Sequence, residues 1–368
     1  MTPDVNRRAP EGGRRAPEVN RRAPEGDRTA PDRIRTAPGA EAPGTKAPGA
    51  ETPGADRQLV SVTEFTDPAC PWAWGSEPVF RLLKLTLGSR AHWRPVFGIL
   101  FDEDDDPAPD PAAEARWYER FIREVTAHTD APCAPRLHWL TRSSLPASLA
   151  ATAARSQGPE IAERVLRRLR ESTFVLGTPA DTPDGIRGVV RGVPGLDSDR
   201  LMRELAARET RDAVRADWTE TRRPIPEVLG LDGPGPHPGR AKEVGDHRRY
   251  ALPTLLFDGP GGQVCVPGWR PLETYLEAAR AAAGGRLPLT PVRLPAVAAL
   301  ERWRTLTGPE LALLTEESAA PAEAVRIDTG HGPLWLHPDE ARARAQSSFP
   351  VKAQVAEVSD NETPRGVH

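Results

Sequence analysis

The chain has 368 residues, room for two or three domains, and its 41 prolines and 31 glycines are unevenly spread. A net charge of −3 gives no electrostatic basis for binding nucleic acid or a membrane surface. Three widely spaced cysteines cannot build a disulfide framework and suit a reducing compartment. No apolar run approaches the ~18 residues that span a bilayer, and the N-terminus lacks the apolar core of a leader, so a cytoplasmic location is expected.

Residues 1–57 carry an imperfect repeat, Arg-Ala-Pro or Thr-Ala-Pro with a period of seven at Arg8-Ala9-Pro10, Arg15-Ala16-Pro17, Arg22-Ala23-Pro24, Thr29-Ala30-Pro31 and Thr36-Ala37-Pro38. A proline in every repeat excludes a coiled coil, and the lack of large apolar side chains predicts a disordered tail. The β-branched run Val60–Phe65 then reads as a buried strand stopped by Thr66-Asp67-Pro68. Pro71 suits a first helical position, which puts Cys70 at the N-cap. There the unpaired amides and the helix dipole favour the thiolate, the reactive form of cysteine. The helix carries Val79, Phe80, Leu82, Leu83, Leu85 and Leu87, with Pro78 inside it and Gly88 ending it. The run 92–100 reads as a strand in which Pro95 marks an edge or bulge.

Helical spacing is predicted over 112–126, 146–156, 159–174, 184–191 and 198–218. Residues 220–248 read as a Pro/Gly loop. A strand through 250–257 pairs back through 263–266, and 271–283 makes a closing helix. Beyond them, Thr307 and Glu310 form a capping box before Leu311, and 325–328 with 334–337 read as a hairpin, giving a module that could be winged-helix-like. No basic stripe supports DNA binding there.

The segment Asp67-Pro68-Ala69-Cys70-Pro71-Trp72-Ala73-Trp74-Gly75 resembles the active-site segment of DsbA-like thioredoxin-fold proteins, in the dithiol-disulfide isomerase branch related to 2-hydroxychromene-2-carboxylate isomerases. That family usually reads C-P-W-C; here Ala73 stands at the second, resolving position. The resemblance implies an α/β thioredoxin fold with a large helical insertion. Its expected layout is a disordered tail over 1–57, a DsbA-like domain over 58–285 with the insertion at about 107–219, a small α+β appendage over 286–345 and a disordered tail over 346–368. It also implies a cis-proline facing the cysteine, where Leu252-Pro253-Thr254 stands.

Cys70 is the expected catalytic residue, with Pro71, Trp72, Leu252, Pro253 and Thr254 shaping the substrate surface. Trp72 should be partly exposed, Trp74 is as consistent with core packing, and Asp67 reads by default as a turn residue. Without a second thiol, a mixed disulfide on Cys70 must be resolved by an external low-molecular-weight thiol, glutathione or mycothiol. Cys133, in a loop, is a weak substitute partner, and Cys265, in a strand, reads as structural. No zinc spacing or phosphate loop is present, so no metal or tightly bound cofactor is expected. The expected function is thiol–disulfide exchange of monothiol type on protein or small-molecule thiols and disulfides, with neither nucleic acid nor membrane as partner. The alternatives are a glutathione- or mycothiol-dependent isomerase or transferase, and a redox-silent thioredoxin-fold binding module.

Overall fold

The computed structural model describes residues 34–35, 58–102, 110–233, 235–244, 246–287 and 290–346. The tail expected over 1–57 lies outside these apart from strand β1, Ile34–Arg35, and the tail expected over 346–368 lies outside them from residue 347 onward. Strand β2, Val60–Thr66, sends Val60 and Val62 into one core and Phe65 into another, as the period of two along a strand requires. Helix α1, Pro71–Leu87, carries the chain to β3, Ala91–Phe97, which pairs parallel to β2. Pro95 is tolerated because β3 is the outermost strand and its missing N–H faces no neighbour.

Six helices follow: α2, Pro111–Thr129; α3, Leu145–Ala153; α4, Pro159–Phe174; α5, Pro183–Val190; α6, Ser198–Leu205; and α7, Arg208–Thr221. Helices α3 to α7 pack around Leu166, Leu169, Ile186 and Leu201, in a core that also takes in Phe97 and Ile99 at the end of β3. The single helix expected over 198–218 is two. Helix α6 ends at Leu205 and α7 begins at Arg208, and the Thr210 hydroxyl donates to the Glu204 carbonyl at 2.7 Å across the junction. The stretch read as a plain loop also holds a hairpin, β4, Lys242–Val244, with β5, His247–Arg249. Strands β6, Thr254–Gly259, and β7, Gly262–Pro267, then pair antiparallel, and α8, Leu272–Ala282, covers them.

The sheet order is β1-β7-β6-β2-β3, with β6 antiparallel to β2. A βαβ half and a ββα half joined with the last four strands in this order make a thioredoxin sheet. The helical block between β3 and β6 gives it the DsbA-like form.

The C-terminal residues fold as α9, Ala296–Trp303; β8, Thr305–Thr307; α10, Gly308–Leu314; β9, Val325–Asp328; β10, Pro333–Leu336; and α11, Pro338–Ala345. Thr307 and Glu310 form the capping box of α10. Leu300, Trp303, Leu306, Leu311 and Leu314 share one apolar core with Val60, Phe80, Leu83 and Phe257 of the thioredoxin part.

A buried charge network joins the same parts. Glu310 accepts from Arg167 at 2.9 and 3.0 Å and from Arg81 at 2.9 Å. Glu171 accepts from Arg167 at 2.6 Å, from the Thr305 hydroxyl at 2.6 Å, and from Arg344. Arg170 binds Glu77 and reaches the Thr66 hydroxyl at 2.6 Å. Arg170, Arg167 and Arg81 together hold the Glu77 carboxyl down to about 2 against the opposing pull of its burial. Arg344 and Arg167 do the same for Glu171, also to about 2.

Such a network gives little net stability while complete, and a large loss when one partner goes, because the charges left behind stay buried. Glu310→Ala, which strands Arg81 and Arg167, is expected to lower unfolding free energy by about 3–5 kcal/mol in denaturant titration. A loss within the error of that titration would contradict it. Because the folded pKa values of Glu77 and Glu171 lie below the ordinary carboxylate value, their contribution is complete above about pH 4.5 and is lost as pH falls toward 2. Stability should therefore fall steeply across that window.

Candidate functional site

Helix α1 starts where expected, with Cys70 at the N-cap and Pro71 in the first turn. The turn before it is fixed by Asp67, whose carboxylate accepts from the Ala69 amide at 2.8 Å, the Leu100 amide at 2.8 Å and the Ser144 hydroxyl at 2.9 Å. One carboxylate thus ties the β2–α1 turn to the end of β3 and the start of α3. This is the turn role expected of Asp67. Burial raises the Asp67 pKa, against the pull of these three hydrogen bonds and Arg249. The Tyr118 hydroxyl donates to the Ala69 carbonyl next to the cysteine.

The Leu252-Pro253 peptide bond is cis, and the Cys70 sulfur lies 3.3 Å from the Leu252 carbonyl oxygen, to which the thiol donates. The two segments expected to form the site are brought together. Pro71, Trp72 and Ala73 lie in the first turn of α1, all buried. Pro253 and Thr254 are buried too, with the Pro253 carbonyl taken by the Gly268 amide at 3.0 Å and the Thr254 hydroxyl given to the Ala251 carbonyl at 2.7 Å. The Thr254 side chain is therefore satisfied internally.

Two expectations are corrected. Cys70 is only 4% exposed, and burial pushes its thiol up to about 11. The Ala73 amide at the helix start pulls the other way, as does the charge of Arg249, but neither matches the cost of an anion without water. The thiolate is thus not the resting form. Trp72 is not partly exposed but 6% accessible, its indole lying against His128, His237 and Trp269.

The other cysteines are free and buried. Cys133 sits in a separate core with Trp74, its backbone paired to His331. The Trp74 indole donates to the Pro132 carbonyl at 2.9 Å, in keeping with a packing role. Cys265 belongs to the core that holds Cys70 but lies within β7, its thiol pushed up to about 12 by burial.

Sequence reading missed His237, Tyr118, Ser144, Arg249 and Trp269. His237 stands in the turn-forming run Gly235-Pro236-His237-Pro238-Gly239, where nothing distinguishes it from an exposed loop histidine. Its Nε2 lies 2.9 Å from the Leu252 carbonyl, and burial drives its pKa down to about 3, so the ring is neutral and donates from Nε2. Among the described residues, no group of three or more His, Cys, Asp or Glu side chains is placed to hold a metal ion, and no helix is long and apolar enough to cross a membrane.

No protein-family model matches the chain. Two curated relatives are both ClpXP adapter protein SpxH. That of Halalkalibacterium halodurans is 30% identical over 171 residues, 45% of this chain and 55% of the relative. That of Shouchella clausii is 25% identical over 167 residues, 45% of this chain and 54% of the relative. The chain thus spans about half the length of the curated relatives it matches. Solved structures similar to it include a probable DsbA oxidoreductase from Streptomyces coelicolor, at TM-score 0.42 and 20% identity, covering 64% of this chain and 95% of that one. Cytosolic disulfide reductase DsbM from Pseudomonas aeruginosa is similar at TM-score 0.41 and 14% identity, covering 60% and 93%.

Removing the Asp67 carboxylate would leave two amides and a hydroxyl buried without an acceptor, at about 1–3 kcal/mol for each that finds no other. Asp67→Ala is expected to lower the thermal midpoint by several degrees and to speed hydrogen exchange at the Ala69 and Leu100 amides; exchange unchanged at both would contradict the tie.

Proposed function

We propose that the chain is a thiol–disulfide exchange protein of monothiol type, with Cys70 as its reacting sulfur. The observation that carries the reading is the approach of that sulfur, at the N-cap of α1, to within 3.3 Å of the Leu252 carbonyl beside Pro253. In this placement an extended partner lying along Leu252-Pro253 brings its own sulfur alongside Cys70.

The exchange runs in two steps. Cys70 loses its proton to solvent and attacks one sulfur of a mixed disulfide; the new S–S bond forms as the old one breaks, and the displaced thiolate leaves and takes up a proton. Ala73 offers no second thiol, so an external thiolate such as glutathione or mycothiol attacks the adduct and departs as a disulfide, returning Cys70. The closed site holds the proton on the sulfur through burial. Once water reaches it, the α1 terminus and the Ala73 amide favour the anion.

A second reading, a binding module without redox chemistry, is favoured by the burial of the Cys70 thiol and by the adapter names of the two curated relatives. Incubation with glutathione disulfide, followed by intact and peptide mass spectrometry, separates the two. Exchange predicts a glutathione adduct on Cys70 that persists until free thiol is added. In Ala73→Cys the introduced thiol attacks the adduct from within the chain, and adduct lifetime is expected to fall by about tenfold or more. Failure of Cys70 to form an adduct in either protein would overturn the exchange reading.

A further inference from the structure

The Leu252 carbonyl has two lone pairs, and both are occupied: one takes the Cys70 thiol at 3.3 Å, the other the His237 Nε2–H at 2.9 Å. The same imidazole covers Trp72, with ring centroids 5.0 Å apart and planes 12° from parallel. A partner docking along Leu252-Pro253 needs both features, an acceptor for its backbone N–H and the indole face for its surface. His237 fills both places.

The segment carrying His237 is fastened. The His237 carbonyl accepts from the Trp269 amide at 3.2 Å and from Arg270 Nη1 at 3.0 Å, and the Pro238 carbonyl accepts from Arg270 Nη2 at 2.7 Å. Gly239, at φ +87°, lies so close to β7 that an added Cβ would meet the Pro267 and Gly268 backbone. A Cβ on Gly268 would likewise meet the His237 carbonyl. Small residues on both sides let the two backbones touch.

We infer that residues 235–241 are an intramolecular occupant of the partner-docking edge, a strap that closes the Cys70 site through His237 and is latched by Arg270. The inference rests on the proposed reading of Leu252-Pro253 as that edge. It specifies what displaces the strap: an extended thiol- or disulfide-bearing peptide with an N–H for the Leu252 oxygen and a flat or apolar group for Trp72. Small exchange reagents lacking these groups do not displace the strap and react only at the slow rate at which it opens by itself.

The test is the labelling rate of Cys70 by iodoacetamide at neutral pH, read by peptide mass spectrometry in the full chain, with Cys265 labelling as the internal report of global opening. His237→Ala removes the plug and Arg270→Ala the latch, the latter without touching the sulfur or Leu252. Each is expected to raise the Cys70 rate by about tenfold, His237→Ala through the lost hydrogen bond and ring contact and Arg270→Ala through the lost bonds to the His237 and Pro238 carbonyls, while Cys265 labelling stays as in the parent. If His237→Ala does not fold, Arg270→Ala alone decides. A Cys70 rate within about twofold of the parent in a folded variant overturns the strap, since removing one hydrogen bond should change it more. Glutathione disulfide keeps the two claims apart. Faster alkylation with no glutathione adduct supports the strap and removes the exchange reading; equal adduct rates in parent and variants remove the strap and leave exchange standing.

Discussion

The exclusion of water from the Cys70 sulfur governs the chemistry of this fold. A helix N-terminus stabilises an adjacent anion by about 0.3–1 kcal/mol, rising to ~2 kcal/mol in favourable buried geometry. Full burial can move a pKa by about 3–5 units, at roughly 1.4 kcal/mol each. Where both act on one thiol, the larger effect decides, and Cys70 rests protonated as a donor to the Leu252 carbonyl. The helix terminus supplies the capacity for a thiolate, and solvent access determines whether that capacity is expressed.

The surroundings explain how the sulfur is kept in place. Asp67 ties its turn to β3 and α3, while Thr66, the residue before, is held by Arg170 of α4. Arg170 belongs to the charge network that runs through Glu77 and Arg167 to Glu310 of α10 and, through Glu171, to Arg344 of α11. The C-terminal residues therefore share more than an apolar core with the thioredoxin part. Through a short chain of buried ion pairs they bear on the strand end that delivers the cysteine. The arrangement is sensitive by construction, since each carboxylate in it compensates cations that water cannot reach.

Much of this was legible in the residues. Pro71 marked the helix start, the β-branched run marked β2, and Pro95 marked a strand at the sheet edge. The capping box at Thr307 and Glu310 was readable because its signal is local, contained within four residues. What escaped was set by contacts distant in sequence. The thiol's protonation depends on desolvation by segments more than a hundred residues away, which no local pattern reports. His237 looked like a turn residue because its role comes from Trp72 and Leu252, not from its neighbours in the chain. The α4 arginines carry no local sign of their partners: Arg167 reaches Glu310 of α10, Arg170 reaches Glu77 and Thr66, and both are buried. The break between α6 and α7 falls inside a helical period with no glycine or proline to mark it.

Ala73 places this chain apart from two-cysteine sites in one further respect: no second thiol within the first turn of α1 can share or stabilise charge on Cys70, so the sulfur's ionisation reports its own environment. The pH dependence of its alkylation rate is accordingly the most direct measurement of the account. A rate that keeps rising through alkaline pH toward a midpoint near 11 is the predicted result. A plateau with a midpoint at or below ~8.5, the value of a free thiol, would show a hydrated or stabilised thiolate and contradict it.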